Sequence, residues 1–481
     1  MDRQIRRLGL VLMALFLVLF AQLNWLQVFH AKALADDPRN TRRVTRDFSQ
    51  DRGTISSADG VVLAQSVATP DRLKRLRQYP EGDLFGHLTG YFSFTYGTEG
   101  LERQYNNDLV GRTLPVRNVR DFLGDRTRTG NLTITISKKL QQVARDALGN
   151  RKGAVVALNP QDGSILAMWS FPSFDPNPLA AHDQKAVQDA WKSLQANADR
   201  PLLPRAFRER YAPGSTFKVV TSAAVLEKAP DLATKPYPVL RQLPLPQTTN
   251  KLSNFGNEAC GGILPDLLKV SCNTGFAQIG LDLGAAKLSD QAHEFGFGQA
   301  APLDMPAPAK SIFPDASAFA HDLPALAHSA IGQQDVAATP LEMALVAAGV
   351  ANGGVIMKPH LLAQLRDNEG NVVRSAQADP WMRAMSAQSA STLRDMMVAV
   401  VQSGTATRAA IPGVQVAAKT GTAQTVGDNA HAWLIAFAPA DAPKVAVAVI
   451  VESQPGLGDN VTGGRVAAPI AQKVLQAALA P

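Results

Sequence analysis

The sequence predicts an α/β (α+β) fold: a central antiparallel sheet flanked by helices, preceded by a smaller irregular module and one transmembrane helix. Three observations predict it. An uncharged run opens the chain, an apolar hairpin follows a change of texture at Gly153, and apolar strands return after a long helical middle, followed by a closing helix. Strands, helices, strands and a last helix, in that order, imply helices packed on an antiparallel sheet.

The first element is the run from Leu8 to Phe29, preceded by Arg3, Arg6 and Arg7. At about 1.5 Å per residue it covers roughly 33 Å, enough to cross a hydrocarbon core. The basic flank predicts a cytoplasmic tail over residues 1–7, a membrane helix over 8–29 and export of everything beyond. Ala31-Lys32-Ala33 has the small-x-small form of a cleavage site, but the run is longer than the about 7–15 apolar residues of a signal peptide, so an uncleaved anchor is expected. Gln22, Asn24 and Gln27 mark where the span meets the outer interface, with Trp25 at headgroup level. No second stretch is long and apolar enough to span, which predicts a single-pass protein of the cell membrane with its N-terminus in the cytoplasm.

Residues 30–149 read as an irregular pedestal: polar, Arg-rich and broken by turns such as Ala58-Asp59-Gly60 and Tyr96-Gly97-Thr98. Val61-Val62-Leu63 and Leu132 to Ile136 are its short strands. Residues 150–481 read as the main domain. Ala154 to Leu158 and Ile165 to Trp169 flank Pro160-Gln161-Asp162-Gly163, a hairpin with Asp-Gly at its turn. Ser215 to Leu226 has a helical apolar pattern; Val414 to Ala418, Trp433 to Phe437 and Val445 to Val451 are late strands; Ala467 to Leu479 is an amphipathic closing helix.

Composition excludes several classes. With 46% hydrophobic and 19% charged residues among 481, neither global disorder nor a collagen-like repeat fits. The net charge of +7 suits anionic membrane or cell-wall polymers, but no Lys/Arg cluster is interleaved with aromatics, which are only 6% of the chain, so nucleic acid is not expected as a partner. No nucleotide-binding glycine motif is present, and no cofactor is expected. Cys260 and Cys272 lack C-x-x-C spacing, which argues against structural zinc. Outside the cytoplasm they either form a disulfide or remain two buried thiols. A bridge closing so short a loop would stabilise by about 3 kcal/mol through loop entropy.

Three short motifs carry the chemistry: Ser215-Thr216-Phe217-Lys218, Ser271-Cys272-Asn273 and Lys419-Thr420-Gly421-Thr422. Tyr211-Ala212-Pro213-Gly214 predicts a turn that puts Ser215 in a first helical turn, where unpaired N–H groups favour developing negative charge. Lys218 lies one turn on, on the same face. Its amine accepts the serine proton only if desolvation and a neighbouring cation lower its pKa, and Lys419 on a facing strand is placed to be that cation. Ser271 suits a proton relay and Asn273 a ligand for Lys218 or a substrate amide. Backbone N–H groups of Ser215 and Thr422 suit an oxyanion hole, with Gly421 permitting close approach. Each motif alone is weak; their order, context and exported setting give the set its weight.

The three motifs resemble those of the penicillin-binding transpeptidases. Arg52-Gly53-Thr54-Ile55 through Leu63-Ala64, Gly97-Thr98-Glu99-Gly100-Leu101-Glu102, Pro172-Ser173-Phe174-Asp175-Pro176-Asn177, Ala330-Ile331-Gly332-Gln333 and Thr339-Pro340-Leu341-Glu342-Met343-Ala344 resemble the class B members. Arg3 to Leu8, Asn254-Phe255-Gly256 to Cys260-Gly261, and His431-Ala432-Trp433 are similar to the actinobacterial penicillin-binding protein A group within that class. Pro204 departs from the pattern, standing where relatives often carry Asn.

The resemblance implies a penicillin-binding, serine β-lactamase-like transpeptidase domain over residues 150–481 on a non-catalytic class B module. It implies attack by Ser215 on the penultimate carbonyl of a D-Ala-D-Ala stem peptide, with Lys218 as base and Ser271 as shuttle. Asn273, Lys419, Thr420, Gly421 and Thr422 would bind substrate. β-Lactams would acylate Ser215, and a separate membrane glycan polymerase of the shape, division or sporulation type would be the partner, in wall synthesis at division. The alternatives on the same serine are a D,D-carboxypeptidase, a β-lactamase or a β-lactam-binding sensor.

Other tempting residues receive bland readings. His293-Glu294 begins like H-E-x-x-H, but Phe297 occupies the last position, so no metal site is expected. His431 reads as a structural or rim residue, Asp175 and Glu99 as turn and domain-interface residues, and the Arg-rich stretch from Asp71 to Arg77 as a solvated face.

Overall fold

The structure is a computed structural model that describes residues 2–29, 48–115, 128–424, 430–453 and 462–480. Two compact units are present. The described residues of the first, up to Asp51 with 67–76, are dominated by helix α1 (Asp2–Phe29); the second comprises 52–66 and 77 onward. Within α1, Arg3–Leu26 is apolar and long enough to cross a membrane. The Ala31-Lys32-Ala33 site lies outside the described residues.

Strands β1 (Ile55–Ser56), β2 (Val62–Ala68) and β3 (Gly130–Ile134) build the sheet of the N-terminal module; β1 pairs antiparallel with β2 and parallel with β3. The strand Leu362–Asp367 pairs antiparallel with β3 from far along the chain. The module is thus closed by a segment the sequence reading placed elsewhere. Its centre is ionic. Glu102, fully buried, accepts from Arg52 Nε at 2.5 Å and from Arg77 Nε at 2.6 Å. The expected solvated face from Asp71 to Arg77 is therefore corrected at its end: Arg72 and Lys74 are exposed, but Arg77 is only 3% exposed because its charge is matched by Glu102. Two guanidiniums outweigh desolvation and hold the Glu102 carboxyl below its usual range.

Helix α2 (Lys138–Leu148), capped by the Ser137 hydroxyl, leads into the main sheet. Strands β4 (Gly153–Leu158) and β5 (Ile165–Phe171) form the expected hairpin, with Gly163 at φ +82° in its turn. After helix α3 (Lys218–Lys228) come a two-stranded ribbon of β6 (Tyr237–Leu240) and β7 (Cys260–Gly262) and helices α4 (Leu264–Val270), α5 (Asn273–Leu283) and α6 (Pro340–Ala351). Strands β8 (Ala417–Gln424), β9 (Ala430–Ala438) and β10 (Val445–Val451) complete the sheet, and α7 (Ala468–Leu479) closes the chain. The order is β8-β9-β10-β4-β5, antiparallel throughout.

Every residue of β10 and β4 is buried, so helices cover both faces of the sheet centre. That is why Val445 to Val451 is apolar without alternation. Helices α2 and α7 pack together on the sheet, and α6 packs on β10, β9 and β4. The expected late strand from Val414 begins instead at Ala417 and runs to Gln424, which puts Lys419-Thr420-Gly421 inside an edge strand rather than at a strand end.

Candidate active site

The three motifs meet around two lysines. Pro213 and Gly214 (φ +52°) open a single 3₁₀ turn over Gly214–Phe217, and the α-helix begins only at Lys218. Ser215 thus sits one turn before the α-helix rather than inside it. The turn is held from behind: Gly214 N–H donates to Gly332 O at 2.9 Å and Thr216 Oγ1 to Pro213 O at 2.7 Å. A Cβ on Gly332 would lie 2.2 Å from Gly214 O, so only glycine allows this contact. Phe217 stacks on Phe313 at 5.3 Å and meets Phe297 edge-on. Thr216, Phe217 and Lys218 are buried, and Ser215 alone in the motif is half-exposed.

Lys218 is fully buried. Its Nζ donates to Ser271 O and Asn273 Oδ1, both at 2.7 Å, and lies 3.4 Å from Ser271 Oγ. Among the described residues it makes no hydrogen bond to Ser215 Oγ in this resting arrangement. A neutral amine has two N–H donors and one lone pair. The two carbonyl oxygens accept both donors, which leaves the lone pair for a hydroxyl. Burial, and then the Lys419 ammonium, push the Lys218 pKa well below the ordinary lysine range.

Lys419, also fully buried, donates to Ser271 Oγ at 2.8 Å and to Thr420 O at 2.9 Å. Burial lowers its pKa to about 7. Two ammonium charges so near each other in a dry site are unfavourable, and the greater lowering falls on Lys218. Beside them, Thr420 Oγ1 shares a hydrogen bond with Thr405 Oγ1 at 2.6 Å. A Cβ on Gly421 would meet Pro213 O and Thr216 Cγ2 at 2.9 Å, which confirms the close approach expected of that glycine. Thr422 O faces the Gly214 turn, since a Cβ there would lie 2.9 Å from it. In an edge strand the N–H of a residue points to the same side as its C=O, so the Thr422 N–H also faces the serine turn.

Ser271 ends α4 in the left-handed conformation (φ +60°, ψ 42°). A non-glycine residue there carries a cost of about 1–3 kcal/mol, and such outliers cluster at functional sites. Of the two readings of Cys260 and Cys272, the bridge is the one found, with Cα atoms 5.8 Å apart. Asn254 is a further residue at this turn, one that its place as a lone Asn before Phe-Gly does not signal as a site residue in the sequence. It accepts from Thr274 N at 2.9 Å and donates to Leu240 O and Glu258 O.

The penicillin binding protein transpeptidase domain matches residues 153–476, and the penicillin binding protein A dimerisation domain matches residues 52–132. The peptidoglycan D,D-transpeptidase PbpA of Mycolicibacterium smegmatis is 43% identical over 100% of this chain and 99% of its own. The chain belongs to the class B penicillin-binding transpeptidases. Penicillin-binding protein A from M. tuberculosis, solved as its penicillin G acyl-enzyme, superposes with a TM-score of 0.82 at 41% identity, covering 90% of this chain and all of that one. Pseudomonas aeruginosa PBP2 gives 0.75 at 29% identity, over 90% and 96% of the two chains.

Other residues singled out in this class B chain lie apart from the two lysines. His431 Nδ1 accepts the Ser453 N–H at 2.9 Å and its ring meets Tyr211 edge-on, a structural role. Glu99 pairs with Arg208 at 2.5 Å across the two matched domains, and Asp175 accepts from Asn177 N in a turn. Pro204 precedes the short helix Arg205–Arg208 and lines a cavity with Glu99 and Arg208 that none of the three motifs borders.

Proposed function

We propose that the chain is a membrane-anchored serine D,D-transpeptidase that cross-links peptidoglycan stem peptides through an acyl-enzyme on Ser215. The observation that carries the reading is the buried Lys218, with both N–H donors directed to the Ser271–Asn273 turn and the Lys419 ammonium nearby. Ser215 Oγ attacks the penultimate D-Ala carbonyl while its proton passes to Lys218. The oxyanion is held by the N–H groups of Ser215 and Thr422, an arrangement in which one donor is typically worth about 10²–10³ in rate. The C–N bond breaks as the proton returns, by way of Ser271, to the leaving D-Ala amine. A stem-peptide amine then attacks the ester and gives up its proton to Lys218, which passes it to the departing Ser215 Oγ, so that the serine and the free amine are both restored.

Asn273 binds the donor amide. The Thr420 and Thr422 hydroxyls bind the terminal carboxylate, with the buried Lys419 supplying charge from behind. Penicillins acylate the same serine, a reading supported by the M. tuberculosis relative having been solved as its penicillin G acyl-enzyme. The apolar Arg3–Leu26 helix supports a single-pass anchor, with Arg3, Arg6 and Arg7 on the cytoplasmic side and the catalytic domain outside. The enzyme works beside a separate glycan polymerase in wall synthesis at division.

Mass spectrometry after penicillin treatment tests the reading. A drug adduct on Ser215 that persists for many minutes, together with cross-linked product from donor and acceptor stems, is the expected result. An adduct elsewhere, rapid loss of the label, or D-Ala release without cross-links refutes it. Absence of acylation in Ser215→Ala completes the test.

A further inference from the structure

The turn that serves both lysines is itself held from outside. Ser271 O and Asn273 Oδ1 accept from Lys218, and Ser271 Oγ accepts from Lys419, so two residues of one turn present three oxygens at fixed points. Their own backbone does not enforce this placement, because Ser271 is left-handed and lies between two helices with one residue, Cys272, as the joint. Three external ties converge on that joint. The Cys260–Cys272 bridge fastens it to β7, which pairs with β6. Asn254, itself buried, takes the Thr274 N–H at the start of α5 and donates to Leu240 O at 2.7 Å in β6 and to Glu258 O at 2.9 Å. Asn273 Nδ2 donates to Ser253 O at 3.1 Å, so its amide is oriented with Oδ1 toward Lys218.

We propose that Asn254 and the Cys260–Cys272 bridge are positioning residues for acylation: they clamp the Ser271–Cys272–Asn273 turn to the β6–β7 ribbon and so place the oxygens that orient the Lys218 amine. Neither touches substrate; both act through Ser271 and Asn273. The inference rests on the transpeptidase reading and adds that the ribbon is part of the acylation apparatus. The clamp is also the point at which reduction of the bridge would slow the enzyme without altering any reacting group. Two equivalents of a thiol, or one dithiol, oxidised to a disulfide take the bridge to two thiols, and a disulfide oxidant reduced to its thiols reverses it.

The test uses the full-length protein in detergent and a fluorescent penicillin. The first-order acylation constant at saturating drug is measured separately from the affinity of the preceding non-covalent complex. Asn254→Ala, Cys260→Ser with Cys272→Ser, and reduced wild-type protein are compared with oxidised wild type. A displacement of about 1 Å at reacting groups costs on the order of 10²-fold. A fall of that order in the acylation constant, with the affinity within about threefold and recovery of the reduced wild type on reoxidation, is the expected result. Partial unfolding alone lowers the labelled amplitude and leaves the rate constant of the folded fraction unchanged. That outcome, or wild-type constants in all three forms, overturns the clamp while the Ser215 adduct still stands. Loss of the Ser215 adduct in oxidised wild type overturns the transpeptidase reading itself.

Discussion

Lys419 Nζ donates to Ser271 Oγ at 2.8 Å, joining residues 148 positions apart in the chain. The consequence is directional. With one lone pair of the hydroxyl engaged by an ammonium, its proton is directed elsewhere, and Lys218 Nζ lies 3.4 Å away. The Ser271 hydroxyl thus lies between the two amines, and the same ammonium disfavours a proton on Lys218.

Acylation by penicillin should follow a bell-shaped pH profile. The rate rises with pH as Lys218 loses its proton, because only the free amine is a base. It falls through about pH 7 as Lys419 loses the charge that serves the substrate carboxylate. Stopped-flow acylation from pH 5 to 9 checks this. Lys419→Ala should remove the alkaline limb and move the acid limb to higher pH, since a neighbouring cation no longer opposes protonation of Lys218.

Gly421→Ala should cut acylation by about 10²–10³-fold, the loss typical of one oxyanion donor. The new methyl meets Pro213 O and Thr216 Cγ2 at 2.9 Å, so β8 and the serine turn must move apart. Acylation kinetics report the loss, and circular dichroism should show an intact fold.

Glu342 is fully buried in α6, with one carboxyl oxygen lacking a partner, and burial raises its pKa to about 8 from 4.5. The folded state therefore holds a proton that the unfolded state releases. Its contribution to stability is fully present below pH 4.5 and lost as pH rises through about 8. The unfolding free energy from urea denaturation should fall with pH across that window by up to about 1.4 kcal/mol per unit from this group. In Glu342→Gln that component should vanish, leaving the variant more stable than wild type at pH 8.

Arg77→Ala should destabilise the N-terminal module by about 3–5 kcal/mol, the effect of breaking a buried ion pair from one side. Arg52 still pairs with Glu102, so the lower end of that range is expected. Glu102→Ala leaves two guanidiniums facing each other without a carboxylate and should cost more. Urea denaturation of both variants gives the order.

Some elements were legible because their signal is local. Val445 to Val451 has no polar residue and lies on the sheet with the predicted ends, and the closing helix begins one residue from its predicted start. Local pattern failed where a distant partner decides. Arg77 looks like a solvated arginine until Glu102, 25 residues on, is folded against it. The apolar run from Val414 ends at Ala418, yet pairing with β9 carries the strand on to Gln424. Asn254 lies in a stretch that carries the family resemblance, but its role is not legible there, since two of its backbone partners, Leu240 and Thr274, lie in distant segments.

The sequence by itself determined the chemical groups of this protein: a serine after a Pro-Gly turn, a lysine one turn on, a second lysine on a strand, and an apolar N-terminal helix. Residue type and short-range period suffice for those. Only the tertiary structure decided that the Lys218 pKa is lowered, because that needs a dry site and a cation from 201 residues away. It also decided that Cys260 and Cys272 are joined and that Ser271 lies between the two amines. Burial and long-range hydrogen bonds are properties of the assembled fold, and no short stretch of chain contains them.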